Sequence, residues 1–367
     1  MAFDLSPTDE QVALSNVLHD IAENELRPAA RDVENAGELL IGLWKLLWET
    51  GITAPVREED GGAGMPDAVT MALAAEELAW GDLAIAFAAL NSSFVPLLVG
   101  LLGTDDQRKR LLTPFIEGPG WGSLALYETD GAALGWMATS LATTGSGFVL
   151  NGRKALVVAA DRSDVMLCIA RGPNGDPVAC EVSADVSHVA WEAKLGLEGV
   201  PTASVSFNDV ALDSAAVLGG GSDAAPAIAR CRLAIAAICV GSARAAAEYA
   251  TAYAQERRAF GKPIGAFQAV AFTIADMATR TDAARLLVWD AASALDQEHY
   301  RERDVAMACA HAMEAAVLNG NDAVQVLGGA GYVHDHPVEK WYRDAQTLAS
   351  VESFDLDADA YMKEATG

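Results

Sequence analysis

The polar and apolar positions near the start of the chain recur with a helical period. Ser6 can cap a helix, Pro7 suits the first helical position, and Asp9 stands three residues after the cap. The apolar face that follows consists of Leu14, Val17, Leu18 and Ile21. The pattern therefore predicts a first helix that begins at Ser6.

Helical signals continue over the first third of the sequence. Thr104 with Gln107 predicts another helix start, because a capping side chain and a residue three places later can satisfy each other's amides. The alanine-rich stretch 66–90 has helical composition, and a glycine-rich break stands at 61–64. Residues 1–118 are therefore predicted to form a helical domain.

Beyond residue 118 the pattern changes to short apolar runs separated by turn residues. The runs are 123–128, 148–150, 156–158, 165–170, 178–182 and 203–207. Asn151 and Gly152 stand between two of them, and this dipeptide favours a hairpin because both residues tolerate positive φ. Residues 119–222 are predicted to form a small antiparallel barrel or sandwich.

Helical periodicity resumes after three consecutive glycines at 219–221 and continues almost to the end of the sequence. Long helical segments joined by short loops predict a bundle over 223–367. The predicted fold class is α+β, mainly α. It has an N-terminal helical domain (1–118), a middle antiparallel β domain (119–222) and a C-terminal four-helix bundle (223–367).

Composition limits the ligands that this fold could bind. Hydrophobic residues make up 51% of the 367 residues and charged residues 21%, which is typical of a folded chain. The formal net charge of -26 argues against nucleic acid, because a phosphate backbone is held by clustered Lys and Arg. An anionic ligand would need the few cations to be concentrated locally, so each well-placed arginine is of interest.

Cysteine spacing and the N-terminal sequence bear on the compartment. The cysteines are Cys168, Cys180, Cys231, Cys239 and Cys309. They are odd in number, widely spaced and set among apolar residues, so we expect free buried thiols and no metal site. The N-terminus has no basic region followed by an apolar stretch, and we find no run of 18 apolar residues. We therefore expect a cytoplasmic protein without membrane contact.

Three segments in the second half of the sequence carry specific patterns. They are RRAFGKPI at 257–264 followed by Phe-Gln at 267–268, QVLGGAGY at 325–332, and Arg-Asp-Ala at 343–345 with Glu352 nine residues after the arginine. In this order they resemble the RxxFGxPIxxFQ, QxxGGxGY and RDA segments of the acyl-CoA dehydrogenase family. The domain order agrees over essentially the whole chain. The resemblance implies FAD as cofactor, an acyl-CoA substrate and an acceptor similar to electron-transfer flavoprotein.

Each segment alone could be an ordinary helix end with a basic last turn or a glycine cap. As a set they suit a cofactor with a pyrophosphate, because an arginine fork matches phosphate oxygens and glycines let backbone amides approach a ligand. In the family these segments hold the FAD of a neighbouring subunit, which implies a homo- or hetero-tetramer. The cofactor contacts carried over are Arg257, Phe267, Gln268, Gln325, Gly328 and Gly329.

The resemblance places the catalytic carboxylate at Glu352 without a gap in the count from Arg343. Burial would raise the basicity of this carboxylate, and the reaction needs a base for the proton alpha to the thioester. The simpler alternative is an exposed acid in an acidic tail. The family's Gly-Thr after the base is replaced by Ser353 and Phe354, and a phenylalanine there would crowd the flavin.

Arg232 falls where the family has a helix arginine that lines the acyl-CoA pocket. The acidic residue common three positions earlier is replaced by Ala229, and the position used for an alternative carboxylate base is Cys231. A surface helix arginine is an equally good interpretation of Arg232 from the sequence. The resemblance assigns it to substrate binding.

The β domain departs from the family where it should contact the flavin ring. In the TEPxxGSD-like loop only Glu128 and Gly131 match, while Ala132 and Ala133 do not. In the WITN-like strand, the family's tryptophan is replaced by Leu156 and its threonine by Val158. The lost hydroxyl and aromatic wall predict a weakened hold on the chain's own flavin.

Four hypotheses follow from this mismatch. The chain could be a complete homotetrameric dehydrogenase with Glu352 as base. It could be a subunit of a heteromer that completes its partner's flavin site, similar to the mixed complexes that some actinobacteria use on sterol side-chain thioesters. It could be an oxidase on the same fold, or a helical scaffold that no longer binds FAD. Fold alone cannot choose among them.

Overall fold

The computed structural model describes residues 6–128, 137–145, 147–183 and 188–352. The α-helices in this part of the chain are α1 (Asp9–Ile21), α2 (Arg27–Ala36), α3 (Ile41–Glu49), α4 (Ala68–Gly81), α5 (Leu83–Leu102), α6 (Asp105–Leu111), α7 (Thr113–Glu117), α8 (Ala225–Glu256), α9 (Gln268–Asp296), α10 (Glu302–Leu327) and α11 (Val338–Glu352). A π-helical stretch, Ala22–Leu26, joins α1 to α2.

The strands lie between α7 and α8, apart from one short hairpin. They are β1 (Gly122–Ala125), β2 (Ser140–Thr144), β3 (Gly147–Val158), β4 (Val165–Arg171), β5 (Pro177–Glu181), β6 (His188–Trp191), β7 (Thr202–Leu212), β8 (Arg258–Ala259) and β9 (Lys262–Pro263). The main sheet has the order β1-β4-β2-β3-β7-β6, and β5 pairs with β4. Its pairings are mainly antiparallel, although β1 and β2 run parallel to β4. The predicted helical, β, helical fold is confirmed.

The first helix begins two residues later than the sequence predicts. Thr8 is the cap: its hydroxyl accepts a hydrogen bond from the Gln11 amide at 3.2 Å, and the Gln11 side chain accepts from the Thr8 amide at 2.9 Å. Ser6 as cap is therefore wrong, because Gln11 completes a reciprocal capping box that starts at Thr8. The predicted cap at Thr104 and Gln107 is confirmed.

The alanine-rich stretch 66–90 is helical, as predicted, and contains α4 and the first part of α5. The break is Asp82, whose carboxylate accepts from the Ile85 amide at 3.0 Å and so caps α5. α5 and α8 are long and apolar enough to span a membrane by length and composition. However, 89% and 83% of their most apolar windows are buried inside the fold, as in core helices of soluble proteins.

The predicted hairpin at Asn151-Gly152 is wrong. Both residues lie inside the continuous strand β3, at an irregularity in its pairing with β7. The Asn151 side chain bonds across to Asp209, donating to its carboxylate at 3.0 Å and accepting from its amide at 2.8 Å. A Cβ on Gly152 would lie within 2.5 Å of Thr139. The dipeptide therefore forms a bulge fixed by neighbouring strands.

Most of the hydrophobic core surrounds α8, and a smaller core fills the interior of the sheet. α4 runs parallel to α8, since Glu76 pairs with Arg244 at 2.9 Å and Trp80 donates to Glu248 at 2.6 Å one turn further along. The five cysteines are buried and free, as predicted. No group of three possible metal ligands occurs within the described ranges.

A buried charge cluster fixes the start of α11. The Lys340 ammonium lies 2.7 Å from Asp82 and 2.7 Å from Asp344, and all three side chains are at most 3% exposed. Asp344 also accepts from the Leu197 amide at 2.6 Å. This cluster joins α11 to the start of α5 and to the β6–β7 connection, so it anchors the first turns of α11.

Candidate active site

The candidate site lies where α5, β1 and β3 meet near the end of α11. The Gly122 amide of β1 donates to the Ser92 hydroxyl of α5 at 2.8 Å. The Ser123 hydroxyl of β1 donates to the Val158 carbonyl of β3 at 2.5 Å. These two bonds hold the middle of α5 against the end of β3.

A cavity of about 550 Å³ opens beside the same strand. It separates β3 from α11 and from the segment that follows β6. Its walls consist of Glu128, Ala155, Leu156, Glu192, Ala193, Lys194, Leu195, Gln346, Thr347 and Ser350. Three of these residues, Gln346, Thr347 and Ser350, belong to the last turns of α11. The cavity is therefore bounded by both the β domain and the C-terminal bundle.

The strand wall of this cavity is a strained bulge. The pairing of β3 with β7 shifts between Lys154 and Val157, and Leu156 in the bulge has φ +52°. A branched residue in this region is uncommon, and such strain concentrates at functional sites. The Leu156 amide leaves the ladder and donates to the Glu192 carboxylate, although at a long 3.5 Å. Sequence reasoning missed Glu192, because nothing in the local pattern links it to β3.

A buried ion pair supports the bulge from behind. The Lys154 ammonium is fully buried and lies 2.9 Å from the Leu126 carbonyl and 3.0 Å from the Glu128 carboxylate. That carboxylate also accepts from the amides of Ala138 and Thr139, both at 2.9 Å. Burial tends to raise the pKa of Glu128, but Lys154 and these hydrogen bonds outweigh it and hold the pKa below its usual range. Glu128 is therefore an anion, and its carboxylate joins residue 128 to Ala138 and Thr139.

The predicted base is carried toward the cavity by α11. Glu352 is the last residue of this helix, and Ser350, two residues earlier, lines the cavity. The side chain of Glu352 lies outside the described structure, as do Ser353 and Phe354. Gly131, Ala132 and Ala133 of the predicted flavin loop also fall outside the described residues.

Arg232 is buried in α8 and does not line this cavity. It is 2% exposed and pairs with Glu302 at the start of α10, and the Tyr300 hydroxyl contacts the same carboxylate. The interpretation of Arg232 as a surface arginine is therefore wrong. Its charge is at least partly compensated by Glu302, so a role in substrate binding stays a prediction.

The predicted cofactor residues gather away from the cavity, at one end of the C-terminal bundle. The segments that flank the two motifs are in contact there, because the Tyr253 ring, four residues before the first motif, lies 5.7 Å from the His336 ring, four residues after the second. Phe267 is half-buried beneath the β8–β9 hairpin, with the Lys262 ammonium 4.2 Å from its ring centre. The exposed members of the set are Arg257, Gln268, Gln325, Gly328 and Gly329.

Both interpretations of these motifs fit their local geometry. Arg257 ends α8, and Gly328 ends α10 with φ +60°, so each segment does terminate a helix. At the same time, the Arg257 guanidinium has no ion-pair partner among the described residues. By contrast, Arg244 and Arg343 are held by carboxylates. In a chain with a net charge of -26, an exposed arginine without a carboxylate remains available for phosphate.

Sequence reasoning missed one exposed aromatic residue in this region. Phe260, at the tip of the β8–β9 hairpin, is 95% exposed with φ +51°, and Tyr332 is 77% exposed. The signal was present, because Phe260 is the phenylalanine inside RRAFG. Exposed aromatics around an available arginine are typical of a surface that another molecule covers.

Comparisons with known proteins agree with this arrangement. The family model for the acyl-CoA dehydrogenase N-terminal domain matches residues 8–119, and the model for the C-terminal domain matches residues 219–352. A probable acyl-CoA dehydrogenase of Bacillus subtilis, YngJ, is 34% identical over 95% of this chain and 95% of its own length. The 3-(aryl)acrylate reductase of Clostridium sporogenes is 32% identical over 94% of this chain and 95% of its own length.

Solved structures show the same likeness. Butyryl-CoA dehydrogenase from Megasphaera elsdenii superimposes with a TM-score of 0.84 at 27% identity, over 98% of this chain and 100% of that one. A structure described as the electron transferring flavoprotein of Acidaminococcus fermentans gives 0.85 at 27% identity, over 98% and 99%. The chain belongs to the acyl-CoA dehydrogenase family. It functions in flavin-dependent acyl-CoA dehydrogenation, and its cofactor is FAD.

Proposed function

We propose that Glu352 takes the proton from the carbon alpha to the thioester while the beta carbon loses a hydride, so that one C–C double bond forms. FAD supplies the hydride acceptor when it is bound. The support is the position of Glu352 at the end of a helix whose last turns line the cavity. A carboxylate at a desolvated site of this kind gains basicity.

The helical motifs of this chain hold the FAD of a neighbouring subunit. The observation that carries this proposal is the separation of the two sets of residues: none of the six predicted cofactor contacts is among the residues that line the chain's own cavity. A ligand held by exposed Arg257 and Gln325 must lie against the outside of the bundle. The half-exposed apolar residues Phe272 and Leu286 of α9 add a surface for association.

The partner is a second chain of the same family, so the assembly is a heteromer. The cavity wall of this chain presents Leu156 where the family has an aromatic residue. Two residues further along β3, the buried Val158 stands where the family has a hydroxyl. An intact partner would supply the complete β-domain face, and this chain would supply Arg257 and its neighbours. Each FAD would then need one complete β-domain face, and only one chain in two would supply it. This predicts an α2β2 tetramer with two flavins. The homotetramer with four flavins is the alternative.

The electron acceptor is proposed to resemble electron-transfer flavoprotein. The support is the 33% identity to the CarC subunit of a caffeyl-CoA reductase–Etf complex from Acetobacterium woodii, together with the flavoprotein structure above. We propose a cytoplasmic location, in keeping with the five free buried thiols. The acyl group would come from the degradation of fatty acids or sterols.

Co-expression with an adjacent gene of the same family tests the assembly. We expect this chain alone to hold less than one FAD per protomer, and the co-expressed pair to form a mixed tetramer with two flavins. Native mass spectrometry with flavin quantification measures both. A stable homotetramer of this chain with four FAD would contradict the heteromer and favour the complete enzyme. Oxygen consumption without an added acceptor would favour the oxidase.

Arg257→Ala is expected to weaken FAD retention in the assembled protein, because it removes a forked phosphate donor. Loss of a hydrogen bond to a charged group costs about 1.5–3 kcal/mol, which is roughly a tenfold to hundredfold weaker affinity. Flavin absorbance after exhaustive dialysis measures it. Arg258→Ala is the matched control, since Arg258 is the adjacent exposed arginine with no assigned role. Equal retention in the two variants would mean that RRAFG is only a helix end.

A further inference from the structure

The bulge in the cavity wall leaves one backbone amide that the sheet cannot pair. Ala155 and Leu156 of β3 lie together opposite a single residue of β7, Ser204. The amides of two residues that face one residue cannot both bond to the neighbouring strand. The Ala155 amide donates instead to the Tyr127 carbonyl at 2.9 Å. The Leu156 amide therefore needs an acceptor from elsewhere in the chain.

Glu192 supplies this acceptor from across the sheet. It follows directly after β6, and β7 lies between β6 and β3. The backbone amide of Glu192 donates to the Thr202 carbonyl of β7 at 3.2 Å. One carboxylate oxygen, Oε1, accepts from the Ser204 hydroxyl at 2.7 Å and from the Leu156 amide at 3.5 Å. Because the second bond is long, the bond from Ser204 is the one that fixes the carboxylate beside the bulge.

No cation competes for this carboxylate in the part of the chain that the structure describes. Glu192 forms no ion pair with a described residue. The ammonium of Lys194, two residues further along, donates to the Val200 carbonyl at 2.8 Å. Ser204 is 5% exposed, so water has little access to the hydroxyl that holds Glu192. The contacts of Glu192 are therefore directed at the bulge and at the residue opposite it.

The bulge determines which side chain of β3 faces the cavity. Leu156 has φ +52°, and both Leu156 and Glu192 line the cavity. A strained residue of this kind persists only where its surroundings fix it. Side chains alternate between the two faces of a strand, so loss of the extra residue from the pairing would turn Leu156 to the opposite face. Bulges beside active sites are used in this way to redirect a side chain.

We propose that Glu192 is a positioning residue of the active site. Together with Ser204 it holds the Leu156 bulge, and through the bulge it sets the shape of the cavity wall that faces the flavin ring. This inference rests on the proposed function, because it takes the ring of FAD to bind in this cavity. Glu192 acts through Leu156 and takes no part in proton transfer. The acceptor oxygen of its side chain is what the bulge requires, rather than its negative charge.

The test combines FAD titration of the purified, flavin-free chain with hydrogen exchange of its backbone amides. Flavin fluorescence gives the dissociation constant, and mass spectrometry of the β3 peptide gives the exchange of the Leu156 amide. We expect Glu192→Ala to bind FAD roughly tenfold more weakly and to exchange this amide faster. Ser204→Ala should change both quantities in the same direction. Glu192→Gln keeps an acceptor oxygen, so it should restore most of the affinity and of the protection.

Glu198→Ala is the matched control, because Glu198 is an exposed glutamate of the same β6–β7 connection; it should leave both quantities unchanged. If Glu192→Ala does not fold, Ser204→Ala repeats the measurement. Parental FAD affinity in Glu192→Ala, or unchanged exchange of the Leu156 amide, would overturn the inference.

Two further outcomes separate this inference from the proposals on which it rests. Glu192→Gln as weak as Glu192→Ala would also overturn it, since the charge and not the bulge would then matter. Failure of the parent chain to bind FAD would count against a flavin site in this cavity, and so against the proposed role of Glu352. The amide exchange would then still show whether Glu192 holds the bulge.

Discussion

Glu352→Gln is expected to lower acyl-CoA dehydrogenation roughly 10²- to 10⁴-fold in any preparation where this chain's own site turns over. The amide is nearly the same size as the carboxylate, so the backbone of α11 and its contacts near the cavity should be retained. What the variant loses is a group that can accept the alpha proton. Dye-coupled turnover, FAD content and melting temperature are measured together, and only turnover should change.

Glu314→Gln is a suitable control, because Glu314 is an exposed glutamate on α10. Turnover of Glu352→Gln within a few-fold of the parent would remove Glu352 from the role of base. The same experiment in the co-expressed complex shows which of the two chains carries the chemistry. If the complex keeps its rate when this chain carries the substitution, the chemistry belongs to the partner and this chain serves as its flavin-binding complement.

The fold was predictable from local patterns because its elements are long and strongly periodic. The predictions of individual turns and caps were wrong where contacts with other residues decided the conformation against the local sequence pattern. Asn151-Gly152 has the sequence of a hairpin, but Asp209 on the adjacent strand holds Asn151 in a bulge. Ser6 and Pro7 resemble a helix start, but the reciprocal bonds of Thr8 and Gln11 are stronger than a single cap.

The candidate site was predictable only where one continuous segment carries it. The motifs at 257–264 and 325–332 could be identified because all residues of each motif lie in one continuous stretch of sequence. The cavity was not predictable, because its walls combine β3, α11 and the segment after β6. Glu192 and Lys194 reach it through pairing that no local spacing reveals.

The second large effect concerns how α11 is held in place. Lys340 is buried between Asp82 and Asp344. Burial by itself lowers the pKa of a lysine, but here the two carboxylates outweigh it and raise the pKa of Lys340 above its usual value. Lys340 is therefore charged in the folded protein, and it compensates two carboxylates that have almost no contact with water. Each carboxylate also accepts a backbone hydrogen bond.

Lys340→Met is expected to lower the free energy of unfolding by about 3–5 kcal/mol, because it leaves two buried carboxylates without a counter-charge. Urea denaturation monitored by circular dichroism measures this change. Lys45→Met is the matched control, since Lys45 is exposed on α3, and it should change stability by less than about 0.5 kcal/mol.

Neutralising the carboxylates as well distinguishes charge from packing. Asn at positions 82 and 344 keeps an oxygen that can accept from Ile85 and Leu197, so Lys340→Met combined with Asp82→Asn and Asp344→Asn should recover much of the lost stability. A Lys340→Met protein within about 1 kcal/mol of the parent would contradict the charge argument. Because α11 leads from this cluster to Glu352, the single variant should also lose turnover, and the triple variant should regain it together with stability. Recovery of stability without turnover would mean that the charges themselves set the direction of α11.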